Sequence, residues 1–307
     1  VSIIRKLLLT GAGIAIAGGA ALWFLSAPQT LDGAALAALG PGDAGRGEQV
    51  FWASGCASCH AAPGATGDDR LSLAGGVRLE TPFGTFVAPN ISQHPRDGIG
   101  GWSAQDLANA MMRGVSPDGS HYYPAFPYTS YVRMEPSDIA DLHAFMTTLP
   151  QVEGAAAGHE LAFPFNMRRG LGLWKRLYLD DAPAVALDNP SEQVARGQYL
   201  VEGPGHCGEC HTPRNAIGGA DTAQWLAGAA AAEGTGNVPN ITTGEGGIGD
   251  WSEADIVALL ESGFTPEFDS VGGAMASVVR NMAELPQSDR EAMAAYLKAI
   301  PGHPNGY

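Results

Sequence analysis

Five residues, Cys56-Ala57-Ser58-Cys59-His60, carry the first chemistry that can be read from this chain. Two thiols three positions apart, with an imidazole directly after them, form the C-x-x-C-H signature of covalent haem attachment. Each thiol adds to one vinyl group of the porphyrin. The two thioethers then hold the adjacent histidine under the iron, where it becomes the proximal ligand. The signature recurs as Cys207-Gly208-Glu209-Cys210-His211, and the two copies use all four cysteines of the chain. The spacing predicts two covalently bound haem c groups, with His60 and His211 as iron ligands.

Two rival chemistries use the same cysteines. Two C-x-x-C pairs can close one tetrahedral zinc site, and a single pair can act as a redox dithiol. A four-thiolate zinc site has no use for the histidine that follows each pair. The sequence also repeats around each pair, as it would around two separate sites. Haem attachment accounts for both features.

An iron held by histidine on one face takes methionine or a second histidine on the other. In the second copy Met275, within Gly272-Gly273-Ala274-Met275, is expected on a glycine-rich loop before the last helix. Met282 is the fallback, and Met293 belongs to the helix core. In the first copy the stretch from His121 to Met134 contains one methionine, Met134 itself. Met111 and Met112 read as helix-packing residues. Met275 lies thirteen residues before Ser288, whereas Met134 lies three before Ser137. The registers differ, so His121 stands as the alternative ligand. Trp102 and Trp251 offer indole N–H groups either to haem propionates or to a buried core. Asn90 and Asn240 read as loop braces, and His206 as a loop residue rather than a catalytic base.

The elements that must hold these residues appear twice. Arg46-Gly47 is matched by Arg196-Gly197, Pro89-Asn90-Ile91 by Pro239-Asn240-Ile241, and Gly98-Ile99-Gly100 by Gly247-Ile248-Gly249. The offset is 151 at Cys56/Cys207, 150 at Asn90/Asn240 and 149 at Trp102/Trp251, so the chain carries an internal duplication. Short helices over 48–51 and 198–201 deliver each motif. Ser103 with Asp106, Ser252 with Asp255 and Ser288 with Glu291 have capping-box spacing and predict helices over 103–113, 252–262 and 289–299. Ile139, Leu142, Phe145, Met146 and Leu149 share one helical face, as do Met293, Tyr296, Leu297 and Ile300. No strand-rich region stands out. Between the copies, residues 151–190 include four basic residues within nine positions, Arg168, Arg169, Lys175 and Arg176, among aromatics. This stretch reads as a linker packed across both copies or as a docking site for a partner or a membrane surface.

Upstream, Arg5 and Lys6 precede an uncharged run from Leu7 to Leu25. As a helix it is about 28 Å long, close to the roughly 30 Å of a bilayer's hydrocarbon. A cleaved export signal is the competing reading. Span length favours a retained anchor, and the basic flank puts the N-terminus in the cytoplasm with the haem region exported. A formal charge of −15 excludes nucleic acid as a partner, because phosphates repel such a surface. The 42 glycines and 21 prolines suit short helices joined by long loops around a cofactor.

These motifs, with Tyr123-Pro124-Ala125-Phe126-Pro127-Tyr128, His206–Arg214 and the stretch 163–174, resemble diheme c-type cytochromes that serve as electron-transfer subunits of periplasmic dehydrogenases. The resemblance covers both copies and the linker. It implies an all-α fold of two tandem cytochrome c domains, 43–150 and 191–303, joined by a linker over 151–190. They follow a membrane anchor or signal at 1–26 and a flexible stretch at 27–42. It further implies no catalysis by the chain alone. Electrons would pass singly from a periplasmic dehydrogenase catalytic subunit, of the alcohol, gluconate, aldehyde or molybdenum hydroxylase type, to a quinone, a soluble cytochrome or a terminal oxidase. The place implied is the inner membrane, with the haem domains in the periplasm. Some relatives have methionine where this chain has Phe126, which supports Met134 as the ligand here. The alternative function is a diheme redox enzyme of the peroxidase or thiosulfate dehydrogenase type.

Overall fold

The computed structural model describes residues 2–232 and 236–307. Val1, the first residue of the expected anchor, and residues 233–235 lie outside the described residues. Helix α1 spans Ser2–Leu25, and none of its side chains is buried. It is the one helix among the described residues long and apolar enough to cross a membrane. A short helix α2, Gly33–Ala37, follows, with Asp32 Oδ1 accepting from the Ala34 and Ala35 amides.

The first half is built from α3 (Ala44–Ala53), α4 (Cys56–His60), α5 (Ala104–Arg113), α6 (Tyr128–Tyr131) and α7 (Pro136–Met146). The intervening segment contributes α8 (Leu171–Tyr178). The second half repeats the pattern with α9 (Glu192–Glu202), α10 (Gly208–His211), α11 (Glu253–Ser262), α12 (Gly273–Met282) and α13 (Gln287–Ala299). Helix α3 crosses α7, and α9 crosses α13. Both crossings are made at a glycine of the Arg-Gly repeat. A Cβ on Gly47 would sit 1.9 Å from the Asp141 carbonyl oxygen, and one on Gly197 would sit 1.9 Å from that of Ala292. The adjacent arginines clamp the same crossings, Arg46 bidentate on Asp141 and Arg196 bidentate on Asp289. The apolar faces read from the last helices are buried in both halves.

The capping boxes form at Ser103/Asp106 and Ser252/Asp255, so α5 and α11 start one residue after each serine. The third does not form. Helix α13 starts at Gln287 behind Pro286, Ser288 lies inside its first turn, and Glu291 accepts from Gln287 Nε2 instead. Pro286 blocks helix on its N-terminal side, and the helix begins directly behind it.

The fold is mostly helical but not purely so. Strands β1 (Arg78–Thr81), β2 (Gly84–Val87) and β3 (Glu160–Leu161) form one antiparallel sheet, and β4 (Ala229–Ala230) pairs with β5 (Asn237–Val238). Such strands are too short to show an alternating pattern, and β3 arrives from far along the chain to pair with Gly84 and Thr85. Gly84 has φ +122°, and a Cβ there would meet Glu160 O at 2.4 Å. Only glycine admits β3 at this edge.

Candidate functional site

Each C-x-x-C-H motif occupies a single helical turn behind a buried helix. In the first half the chain turns at Gly55, whose φ of +63° is left-handed, and enters α4. One turn places Cys56, Cys59 and His60 together along one edge. The imidazole is then fixed from the repeat downstream. His60 Nδ1 lies 2.7 Å from Pro89 O, and His211 Nδ1 lies 2.7 Å from Pro239 O. A carbonyl can only accept, so Nδ1 carries the proton and Nε2 keeps its lone pair for a metal. Burial holds both imidazoles below their ordinary pKa, which keeps them neutral, as an iron ligand must be.

Asn90 and Asn240 brace the loops that follow these carbonyls. Asn90 Oδ1 accepts from Ser92 N while its amide donates to Val152 O and Gly154 O, each at 2.8 Å. Asn240 repeats this with Thr242 N and His303 O. The carbonyls of Trp102 and Trp251 are each held from the last helix of their half, by His143 and Lys298.

The rival chemistries do not fit. Among the described residues no three His, Cys, Asp or Glu side chains converge as a metal site, so the two cysteine pairs do not close one zinc knot. Burial pushes the Cys56 and Cys207 thiols up to about 12, the reverse of what a redox dithiol requires. Two thiols one turn apart and an oriented neutral imidazole fit a haem whose edge is stapled and whose iron is met from one face.

The candidate distal ligands separate the two halves. Gly114 and Gly263 both end their helices in left-handed conformations, with φ of 58° and 78°. Tyr122 N then bonds Gly114 O as Val271 N bonds Gly263 O, and the bridges Val115–His121 and Phe264–Ser270 correspond. This register sets Phe126 opposite Met275. Further on, Met134 N bonds Tyr131 O as Leu285 N bonds Met282 O, which sets Met134 opposite Leu285. The two candidate methionines are therefore not at equivalent positions.

Met275 does not sit on a loop but in the first turn of α12, half-buried against the core. The left-handed Gly273 opens that helix, so the glycines read as a loop are its start. Met134 is buried, and its Cγ lies 3.7 Å from where a Cβ on Gly203 would stand. Met282 is buried at the end of α12, and Met111 and Met112 pack within α5 as read. His121 has both ring nitrogens engaged within the protein. Its Nε2 bonds Ser26 O at 2.9 Å, and its Nδ1 lies 3.0 Å from Lys175 Nζ.

The halves meet at the motifs themselves. Ser54 O, two residues before Cys56, accepts from Tyr131 OH at 3.0 Å and from His206 Nε2 at 3.3 Å. The Tyr131 and His206 rings meet edge to face, centroids 5.7 Å apart. Asn281 Nδ2 of α12 donates to Ser58 Oγ inside the first motif at 2.8 Å. In return, Glu209 inside the second motif accepts from Thr129 Oγ1 at 2.7 Å and Ser130 Oγ at 2.8 Å, and pairs with Arg214. Burial alone would raise the Glu209 carboxyl, but Arg214 and the two hydroxyls hold it below its ordinary range. Sequence reasoning passed over Asn281, Glu209 and Tyr131. The spacing that reveals a helix face carries no mark of a contact made across about 80 to 220 residues of chain.

An attachment turn, an oriented imidazole and a carbonyl brace define the haem-binding half-site of a c-type cytochrome. The cytochrome c family model matches residues 44–150. A diheme cytochrome c-type protein of Cereibacter sphaeroides is 55% identical over 298 residues, 97% of this chain and 99% of that protein. The fructose dehydrogenase cytochrome subunit of Gluconobacter japonicus is 34% identical over 259 residues, covering 83% of this chain and 52% of the subunit. The cytochrome c subunit of the quinone-dependent alcohol dehydrogenase of Gluconobacter oxydans is 36% identical over 271 residues, 85% and 55% respectively. The chain thus belongs to the diheme c-type cytochromes of the cytochrome c family, and spans about half the length of the dehydrogenase subunits it matches. That membership implies haem c as the cofactor class and electron transfer as the activity.

Proposed function

We propose that the chain is a membrane-tethered relay of two covalently attached haem c groups. It takes electrons singly from a periplasmic dehydrogenase catalytic subunit and passes them to a quinone, a soluble cytochrome or a terminal oxidase. In this reading residues 43–150 and 191–303 are tandem cytochrome c domains. Cys56 and Cys59 hold one haem and Cys207 and Cys210 the other, with His60 and His211 as proximal ligands and Met134 and Met275 as distal ligands. Helix α1 crosses the inner membrane with Arg5 and Lys6 on the cytoplasmic side.

The observation that carries the reading is the mutual bracing of the two motifs. When bound, each haem supplies a reversible one-electron couple. The chain's own residues do the rest. Pro89 and Pro239 carbonyls fix the tautomer and angle of the proximal imidazoles. Asn281 and His206 reach the first motif from the second half, and Thr129 and Ser130 reach the second motif from the first. This sets the spacing between the sites and keeps it rigid, which a relay needs and two independent carriers do not.

Intact-mass measurement of chain matured in a host competent for cytochrome assembly tests the attachment, with two haem masses added as the expected result. Carbon monoxide added to the reduced protein tests the relay. Inertness is expected where methionine closes each iron, and ready binding with turnover of a peroxide or thiosulfate would overturn the relay in favour of an enzyme.

A further inference from the structure

The basic cluster between the halves has a structural assignment that the relay does not use. Helix α1 ends with the carbonyls of its last turn unpaired within the helix, and two arginines of the cluster take them. Arg169 Nη2 donates to Trp23 O and Arg176 Nε donates to Leu25 O, each at 2.6 Å. The Arg169 guanidinium also lies over the Trp23 ring, 4.2 Å from its centroid, and its Nε bonds Ser26 Oγ. Gly172 backs directly onto Ser26 O, where any Cβ would collide. The exit of α1 is therefore seated on α8 and does not leave through a loose tether.

The segment that seats this exit, with the loop at Ile217 that α8 touches, carries a rim of exposed apolar side chains. Apart from α1, eight large apolar side chains of the described residues are exposed, and five lie here: Phe163, Phe165, Met167, Leu177 and Ile217. Phe163 is 76% and Leu177 70% exposed. Contacts tie the two ends of this set together. Phe165 meets Phe83 edge to face at 5.0 Å, Phe83 reaches Gly218, and Trp174 Nε1 of α8 donates to Ile217 O at 2.8 Å.

We infer that this rim lies in the headgroup layer of the membrane that α1 crosses, so that the haem-bearing body rests on the bilayer through a second contact. The inference rests on the reading of α1 as a membrane span. Three observations name lipid as the occupant. Four of the five belong to the segment whose Arg169 and Arg176 hold the end of the span. Exposed aromatic and aliphatic side chains of this kind settle at a bilayer interface, as does Trp23 at the end of the span. Arg169 and Arg176 bring positive charge there in a chain of net charge −15, suited to anionic headgroups and unsuited to the rest of this acidic surface.

The test uses the full haem-loaded chain in nanodiscs containing phosphatidylglycerol. Benzoylphenylalanine is placed singly at Phe163, at Ile14 in α1, and at Phe268, which is 89% exposed in the second half. After irradiation, mass spectrometry of each peptide reads lipid adducts. Adducts at 163 and 14 with none at 268 are the expected result. Adducts at 14 but none at 163 overturn the docking rim and leave the span intact. Adducts at 163 without adducts at 14 keep the rim and discard the span, and adducts at neither position discard both. Irradiation in native membranes adds one outcome: a crosslink from 163 to a protein in place of lipid overturns the rim as a membrane contact.

Discussion

The same loop in the two halves has opposite fates. After the left-handed glycine at 114 or 263, each chain makes the same bridge and returns toward its last helix. In the first half His121 and Tyr128 along this loop are buried under α8 and the exit of α1, and Tyr123 is buried against Phe86 and His159. In the second half Ser270 and Gly272, the counterparts of His121 and Tyr123, are exposed, as are Phe264 and Phe268 on the same loop. The attachment turn, the imidazole brace and the helix crossing are common to both. Duplication has preserved what holds a cofactor and has let the surrounding loop follow whatever covers it.

The largest expected effect tests whether the two motifs are truly independent attachments. Replacing Cys56 and Cys59 together by alanine should remove about half of the Soret absorbance while the second motif keeps its haem. The reciprocal pair Cys207 and Cys210 should do the same. Loss of all absorbance from either pair would mean that one half cannot mature without the other.

The helix crossings come next. Gly47→Ala and Gly197→Ala each drive a methyl into a backbone carbonyl of the facing helix. Each should cost about 3 kcal/mol in denaturant unfolding. Equal costs would show equivalent crossings, and a cost near zero at either position would refute the packing described for it.

The distal face sharpens the comparison further, because Met134 and Met275 are out of register. Met275→Leu and Met134→Leu should each lower one midpoint potential and open one iron to carbon monoxide. Phe126→Met, which copies Met275 into the first half, should change neither potential if Met134 is the ligand. A first-haem potential that ignores Met134→Leu but responds to Phe126→Met would reassign the site.

The smallest effect is the pH dependence that His121 adds to the first half. Burial holds His121 below its ordinary pKa, against the pull of the Ser26 carbonyl and with help from nearby Lys175 and Arg169. The unfolded chain binds that proton near pH 6.5, and the folded chain binds it only at lower pH. The contribution to stability is therefore whole above about pH 6.5 and is lost as the pH falls toward the folded pKa. Melting of His121→Ser, which installs the residue found at 270, should show a shallower loss on acidification than the parent. An unchanged slope would remove His121 as a source of acid sensitivity.

Much of this was legible before any coordinates. The two C-x-x-C-H turns, the repeated motifs, the two capping boxes at Ser103 and Ser252 and the apolar faces of the last helices are local patterns, written within a few residues or one helical period. What failed was local as well. Ser288 lost its cap to the proline two residues before it, and the glycines before Met275 opened a helix in place of a loop. The small sheets went unread because strands of two to four residues leave no period, and β3 finds its partners only after the chain has folded back.

The amino-acid order alone settled which thiols and imidazoles come together, since a C-x-x-C-H turn needs only five consecutive residues and a helical step to assemble. Tertiary structure alone decided what the halves do to each other. Asn281 on Ser58, His206 on Ser54 and Thr129 on Glu209 join residues about 80 to 220 positions apart, where no periodicity reaches. The same holds for Arg169 and Arg176, whose charges read as a linker feature and become the seat of α1 once the helix end presents its carbonyls to them. Helix periods and attachment motifs are written in neighbouring residues, whereas the meeting of two folded surfaces is set by the path of the whole chain.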